Sequence, residues 1–243
     1  MILVFGGTTE GKQVAKILDK LDLSYYYSTK TQVDYTGQGT PIFGEMTSTL
    51  LESFCLTNNI TIIINASHPF AIQLHQTIAK LSLPIPLIRY QRKFSTRVSH
   101  RLVSHIDSFE EAINLFHTNN YQSLLALSGV QTIIKLKSYW KTHPTWFRIL
   151  DRDSSRAIAL EANFPKTHLL FGYPQSKKEE IKLFEKIAPD VILTKESGKN
   201  GKLEEKIQAA LHLKIPIVIL KKPEISNRYL CIDTTDELTK LVT

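Results

Sequence analysis

Only two cysteines, Cys55 and Cys231, occur among 243 residues, and neither has a neighbour at metal-binding or dithiol spacing. A disulfide framework, a zinc module and a redox cysteine pair are thereby excluded, and both thiols are expected in the core. The eight histidines are scattered, and His68 and His75 stand seven apart rather than at the one-turn spacing of a helical metal pair. No metal site is expected. No apolar run approaches the ~20 residues of a membrane span, so no membrane partner is expected either. The strand pattern begins at once with Met1-Ile2-Leu3-Val4-Phe5, with no basic leader and cleavage site before it, which points to the cytoplasm. A basic tail and an aromatic-rich RNA-binding signature are also missing, so nucleic acid is not an expected partner.

Hydrophobic residues make up 42% of the chain and charged ones 22%, a globular balance. The length suits two domains of ~100–150 residues each. Thirty lysines and arginines stand against 23 acids, a net charge of +7 with a pI near 9.3. Such a field favours an anionic partner; a polyanionic metabolite fits it, beside the plainer reading of a solubilising surface.

The chain is organised around Asn65-Ala66-Ser67-His68-Pro69-Phe70-Ala71. The apolar run Ile60 to Ile64 before it reads as a strand buried on both faces, and Ser67 with an early proline reads as a helix start near Pro69. His68 then falls at a strand's carboxyl end, where open α/β sheets bind ligands and a helix N-terminus offers N–H groups to an anion. It is the candidate catalytic residue. The alternative is a histidine that only caps its own helix.

Upstream, Ile2 to Phe5, the turn Gly6-Gly7-Thr8-Thr9-Glu10-Gly11 and the apolar spacing of Val14, Ala15, Ile17, Leu18 and Leu21 predict a strand, a glycine turn and a helix. Such a turn admits a diphosphate. The usual dinucleotide fingerprint has glycine at its first, third and sixth places; here the third is Thr8, and Gly7 stands second. Gly6, Gly7, Thr8, Thr9 and Glu10 are candidate cofactor contacts, joined by Ser67. A second strand over 24–28 would bring Thr29 and Lys30 to an adenosine ribose. No acid follows that strand directly, which tilts the expectation toward NADPH over NADH. Gly37, Gly39 and Gly44 punctuate a loop before the next helix, and Gly44 is a further candidate for close approach to the cofactor.

Downstream, 84–90 reads as a strand ending at Arg89, with Arg92 and Lys93 beyond it. A strand over 100–106 leads to a helix opened by Asp107, with Glu110 completing a capping box. Strands at 123–127, 146–150 and 191–193 follow, the first leading to Ser128-Gly129 and the last to the loop 194–202 and a helix over 203–211. The plan repeats in its letters. Ile85-Pro86-Leu87-Ile88-Arg89, with Arg101-Leu102-Val103-Ser104 and a capped helix after it, matches Ile215-Pro216-Ile217-Val218-Ile219, then Arg228-Tyr229-Leu230-Cys231 and a closing helix over 233–241. The expected α/β fold is therefore two similar Rossmann-like parallel-sheet domains facing across a cleft, a dinucleotide-binding domain over 1–119 and a C-terminal domain over 120–243.

Taken together the chain resembles the precorrin-6A reductase family of cobalamin (vitamin B12) biosynthesis, including its cobalt-precorrin-6A branch. The resemblance rests on the opening Ile2 to Glu10, the central Asn65 to Ala71, Ile85 to Arg89, and Val191-Ile192-Leu193-Thr194-Lys195-Glu196-Ser197-Gly198. The family more often shows Asp-Ala-Thr-His-Pro-Phe-Ala at the centre, so a role needing a carboxylate at position 65 is not carried over to Asn65. The glycine-rich stretch after the second strand is also thinner here, at Phe43-Gly44-Glu45-Met46. The resemblance implies hydride transfer from NADPH or NADH to a double bond of an anionic tetrapyrrole, with a proton delivered by His68 or by an ordered water. Arg89, Ser128, Gly129, Lys195, Ser197, Gly198 and Lys199 are the candidates for holding the substrate, the cations through charge-assisted bonds to its carboxylates. Cobalt in the ring, and assembly as monomer or homodimer, stay open. Two other readings also stand: a reductase or epimerase of another anionic metabolite, and a dinucleotide-sensing protein without turnover.

Overall fold

A computed structural model of the chain describes residues 1–91, 97–197 and 201–243. The elements run β1 (Ile2–Phe5), α1 (Thr9–Lys20), β2 (Tyr25–Thr29), β3 (Thr40–Phe43), α2 (Ser48–Thr57), β4 (Ile62–Asn65), α3 (Ile72–Ala79) and β5 (Leu87–Tyr90). They continue with β6 (Val103–Ile106), α4 (Phe109–Thr118), β7 (Leu124–Ala126), α5 (Lys137–Trp140), β8 (Thr145–Ile149), α6 (Asp153–Glu161), β9 (Leu169–Phe171), α7 (Lys177–Ile187), β10 (Val191–Lys195), α8 (Leu203–His212), β11 (Ile217–Leu220), β12 (Tyr229–Ile232) and α9 (Thr235–Val242). Two six-stranded sheets result, in the orders β12-β5-β4-β1-β2-β3 and β6-β11-β10-β7-β8-β9. Their strand pairs are parallel.

Helices cover both faces of each sheet, which is why β1 and β11 read as unbroken apolar runs and β4 and β10 as runs that turn polar only at their carboxyl ends. In the first sheet Val4, Ile64 and Ile88 point to the side of Val14, Leu18 and Leu238. Leu3, Ile63 and Leu87 point to the side of Leu51, Cys55 and Ile78. The period-two alternation thus builds two cores from one set of strands, each fully buried branched side chain contributing roughly 1.5–3 kcal/mol.

The boundary expected between 119 and 120 is not where the chain divides. One compact unit is Met1–Lys93 with Pro223–Thr243, the other Phe94–Lys222. β6 and α4, placed by sequence in the first half, lie with the second sheet beside β11, and β12 with α9 closes the first sheet beside β5. The repeat explains the exchange. Its two copies end in equivalent strand-helix segments, and each segment completes the other copy's sheet. Both closing helices are capped alike, one residue later than expected. Ser108 Oγ accepts from Glu111 N while Asp107 N donates to Glu111, and Thr234 and Glu237 repeat the pattern with Asp233. Asp107 and Glu110 are therefore not the box. Cys231 is a second correction: it is exposed on β12, whereas Cys55 is buried. β3 and β9, the outermost strands on one side of each sheet, were not legible as strands.

Candidate active site

In the first sheet the chain leaves β1 toward β2 on one side, while β4 lies on the other. The ends of β1 and β4 therefore flank the topological switch point, the place beyond the strand termini where open α/β sheets bind ligands. The glycine turn and the His68 motif meet there. Thr8 Oγ1 donates to Ala66 O at 2.6 Å and accepts from Gly11 N at 3.0 Å, so one side chain caps α1 and ties the two turns together.

The three glycines of the turn serve different ends. A Cβ on Gly6 would lie 2.2 Å from the Tyr27 ring, and one on Gly11 would lie 2.6 Å from Gly6 Cα, so both positions permit close packing. Gly7 instead adopts φ +81, and a Cβ there would meet only Thr29 Cγ2 at 3.7 Å. Gly7 is exposed, and it lies at the positive end of α1 with room beside its backbone. Tyr27 was missed by sequence reasoning. Its hydroxyl accepts from Gly7 N at 3.1 Å, and its ring stacks on Tyr35 with centroids 4.3 Å apart. Burial raises its hydroxyl pKa, keeping it neutral. Thr9 opens α1 on the exposed side, and Glu10 is buried, its charge felt by Arg89 and Tyr90.

α3 begins at Ile72, later than expected, and Ala71 at its N-cap gives no side-chain bond. The stretch 66–71 is instead a separate turn built over Asn65. Asn65 is fully buried, and its Oδ1 accepts from Ser67 N at 3.2 Å, Ser67 Oγ at 2.7 Å and Arg89 Nη1 at 3.0 Å. Ser67 thus turns its hydroxyl inward. Arg89 also turns inward. It is 1% exposed, and its guanidinium bonds the carbonyls of Asn65 and Ser67, so it holds up the turn rather than reaching for a substrate carboxylate. β5 lies between β4 and β12, which encloses its side chains, and burial lowers the Arg89 pKa to about 10. His68 remains exposed. Its Nδ1 accepts from Phe70 N at 3.2 Å, which leaves Nε2 as the hydrogen-bearing edge of the ring.

Burial, and after it the Arg89 charge, pushes His75 down to about 4. The unfolded chain, with an ordinary value of ~6.5, then binds this proton more readily than the folded one, so the stability contribution of neutral His75 is complete above pH ~6.5 and is lost as pH falls toward 4. Its full extent is roughly 3 kcal/mol. Urea midpoints at pH 7 and pH 5 should differ accordingly in the wild type and much less in His75→Gln; equal pH slopes for the two proteins would contradict this.

At the end of β2, Thr29 is buried, with Oγ1 bonded to Thr31 O at 2.8 Å, and its carbonyl accepts from Gly44 N at 3.0 Å. Gly44 has φ +121 and open space around its Cα. Lys30 pairs with Glu45 at 2.8 Å, both side chains well exposed. The acid thought to be missing beyond β2 is thus supplied from beyond β3, and the ground for an NADPH preference is removed.

In the second unit Ser128 and Gly129 follow β7 as Gly6 and Gly7 follow β1, and Gly129 has φ +87. This turn is closed on itself. Thr132 Oγ1 donates to Gly129 O at 2.7 Å and accepts from Ser128 Oγ at 2.7 Å. Lys195 ends β10, where burial pushes its ammonium down to about 8, and the Ser197 hydroxyl is buried. Gly198 and Lys199, like Arg92 and Lys93, lie outside the described residues. Glu196 was not anticipated. It accepts from Arg97 Nε at 2.9 Å and Nη2 at 3.1 Å and from Lys222 N at 2.8 Å, and so anchors chain beside both crossings between the units.

Residues 1–243 match the family described as Precorrin-6x reductase CbiJ/CobK. The chain belongs to this family. It is similar to the cobalt-precorrin-6A reductase of Methanocaldococcus jannaschii, at 28% identity over 99% of this chain and 97% of that protein. The same enzyme of Salmonella typhimurium is 25% identical over 91% of this chain and 87% of that protein. The solved structure of CobK precorrin-6A reductase shares the fold, with a TM-score of 0.77 at 18% identity, covering 99% of this chain and 95% of that one. As a precorrin-6x reductase the protein is an oxidoreductase of cobalamin biosynthesis acting on a CH–CH group. Among the described residues no helix is long and apolar enough to cross a membrane.

Proposed function

We propose that this precorrin-6x reductase reduces a double bond of (cobalt-)precorrin-6A to give (cobalt-)precorrin-6B, using a reduced nicotinamide dinucleotide held at the glycine turn of the first unit. The observation that carries this is the meeting of that turn with the His68 motif at the switch point, joined by the 2.6 Å Thr8–Ala66 bond. The dinucleotide, when bound, supplies the hydride. Gly7 and the α1 N-terminus hold its diphosphate, with Thr29, Lys30 and Gly44 toward the ribose. His68, with Nε2 at the exposed edge, delivers the proton to the adjacent carbon as the imidazolium, with Nδ1 protonated and released from Phe70 N, and is left as the neutral ring; as the neutral Nε2–H ring it orders the water that delivers the proton instead. Lys195 and Gly129 are the groups proposed for the substrate, Ser128 Oγ being bonded to Thr132 and Ser197 Oγ buried, and a basic surface suits a polycarboxylate ring.

The test mixes protein with NADPH or NADH, each with metal-free and with cobalt-bearing precorrin-6A. Loss of the reduced-nicotinamide absorbance that depends on the tetrapyrrole is expected. No loss with any combination would overturn the reading and favour a sensor. At the ribose end, Glu45 and a 2′-phosphate compete for the Lys30 ammonium. Glu45→Gln should therefore raise kcat/KM with NADPH relative to NADH by roughly fivefold, about 1 kcal/mol for an exposed charge contact. An unchanged ratio would remove this pair from cofactor choice.

A further inference from the structure

The turn that carries His68 is held from inside at every second carbonyl. Arg89 Nη1 donates to Asn65 O at 3.0 Å, Arg89 Nη2 to Ser67 O at 2.9 Å, and His75 Nε2 to Pro69 O at 3.1 Å. On the outer side Phe70 N donates to His68 Nδ1 and Ala71 N to His68 O. The first two carbonyls are fixed by a group on β5. The third depends on a residue of α3, and therefore on which nitrogen of that residue carries hydrogen.

The hydrogen-bond count decides the point. Asn65 Oδ1 faces three donors from Ser67 and Arg89, so its Nδ2 is the atom directed at His75 Nδ1, at 2.9 Å, and at Tyr229 Oη, at 3.2 Å. The Tyr229 hydrogen is already given to His75 O at 2.9 Å. His75 Nδ1 must then accept, and Nε2 bears the hydrogen that reaches Pro69. An acid at position 65 would set carboxylate oxygen against two acceptors, a conflict relieved at His75 only by placing hydrogen on Nδ1. A proton on both nitrogens would keep the hold on Pro69; hydrogen on Nδ1 alone would release it.

We propose that His75 is the positioning residue of the His68 turn, and that the Asn65 carboxamide selects the neutral Nε2–H form in which His75 holds Pro69. The inference rests on the reductase reading only for the task assigned to His68. Charged and titratable groups facing His75 are Arg89 from β5, His68 from the turn and Tyr229 from β12. Burial first, then Arg89 and, least, His68 oppose a charge on His75, in keeping with its low pKa. The turn's geometry is thus independent of pH across the neutral range with Asn65, and dependent on it with an acid in the same place.

The test compares wild type, Asn65→Asp, His75→Gln and His75→Phe. The imidazole NMR signals of His75, amide exchange at Phe70 and Ala71, and single-turnover hydride transfer are followed against pH. Glutamine keeps an N–H close to the imidazole Nε2, whereas phenylalanine keeps only the ring. In the wild type the His75 signals should stay flat from about pH 6 to 8. In Asn65→Asp they should titrate within that window, and above the titration Phe70 and Ala71 should exchange at least ~10-fold faster while hydride transfer falls along the same curve. His75→Gln should stay within about threefold of wild-type exchange, and His75→Phe should lose ~10-fold or more. Static His75 signals in Asn65→Asp, or equal Phe70 and Ala71 exchange across the glutamine and aspartate proteins, would overturn the proposal. Absent hydride transfer in the wild type, with the exchange pattern as described, would instead overturn the reductase reading alone.

Discussion

Gly7→Val is expected to abolish dinucleotide binding in a protein that still folds, while Gly6→Ala, the milder change on paper, is expected to damage the fold more. The reason lies in what each missing Cβ would meet. At Gly7 the space is open and the cost is the left-handed φ of +81, about 1–2 kcal/mol for a residue with a side chain. For a chain of this size that is a fall in Tm of roughly 2–8 °C. The branched side chain, however, fills the approach a phosphate needs. At Gly6 an added Cβ would sit 2.2 Å from the Tyr27 ring, which cannot withdraw without giving up its stack on Tyr35 and its bond to Gly7 N. Overpacking of this kind costs ~1–3 kcal/mol before those losses are added. Calorimetric titration with NADH and NADPH beside thermal melting checks both. Wild-type affinity in folded Gly7→Val would sink the phosphate role of the turn.

The reading of the fold from sequence succeeded where burial dictates composition. β1, β4, β10 and β11 are enclosed on both faces, so the letters of β1 and β11 are apolar throughout and those of β4 and β10 are apolar up to Asn65 and Thr194 at their ends. β3 escaped notice because three of its four residues, Thr40, Pro41 and Phe43, are exposed at a sheet edge, and a proline there argues against a strand. The exchange of β6 and β12 had no local signal, since two copies of one pattern fit two equivalent sheet edges. Arg89 misled for a related reason: a charge at a strand's end suggests a ligand site, and only the arrival of β12 from far along the chain encloses it. Likewise Lys30 looked unopposed because Glu45 comes from the loop beyond β3. The exposed place of His68 beyond β4 was legible, but the turn beneath it was not, as its supports His75, Arg89 and Tyr229 lie far apart in the chain.

His68→Ala is expected to slow single-turnover hydride transfer by about 10²–10⁴ if its imidazole gives the proton, and by much less if it only orders a water. Melting should change little in either case. The ring is exposed, and its contact with Phe70 spans 5.9 Å between centroids at a tilt of 39°, which is not a packed core contact. What truncation removes is the acceptor for Phe70 N, a partly exposed amide that water can satisfy. His68→Gln, which retains a hydrogen-bonding group without acid–base capacity near neutrality, separates the two roles. A wild-type rate in His68→Ala, together with a large fall in Tm, would make the residue a structural part of its turn.

The account depends above all on the glycine turn and His68 being one site, and carbethoxylation of His68, followed by peptide mass analysis, tests this directly. Bound NADH or NADPH should shield the exposed imidazole in the wild type and slow its modification by ~10-fold or more, the protection expected when most of the protein is occupied. Gly7→Val under the same conditions should show no protection. Equal labelling rates with and without dinucleotide, in a wild-type protein shown by titration to be saturated, would contradict the account, because the cofactor would then lie away from the end of β4.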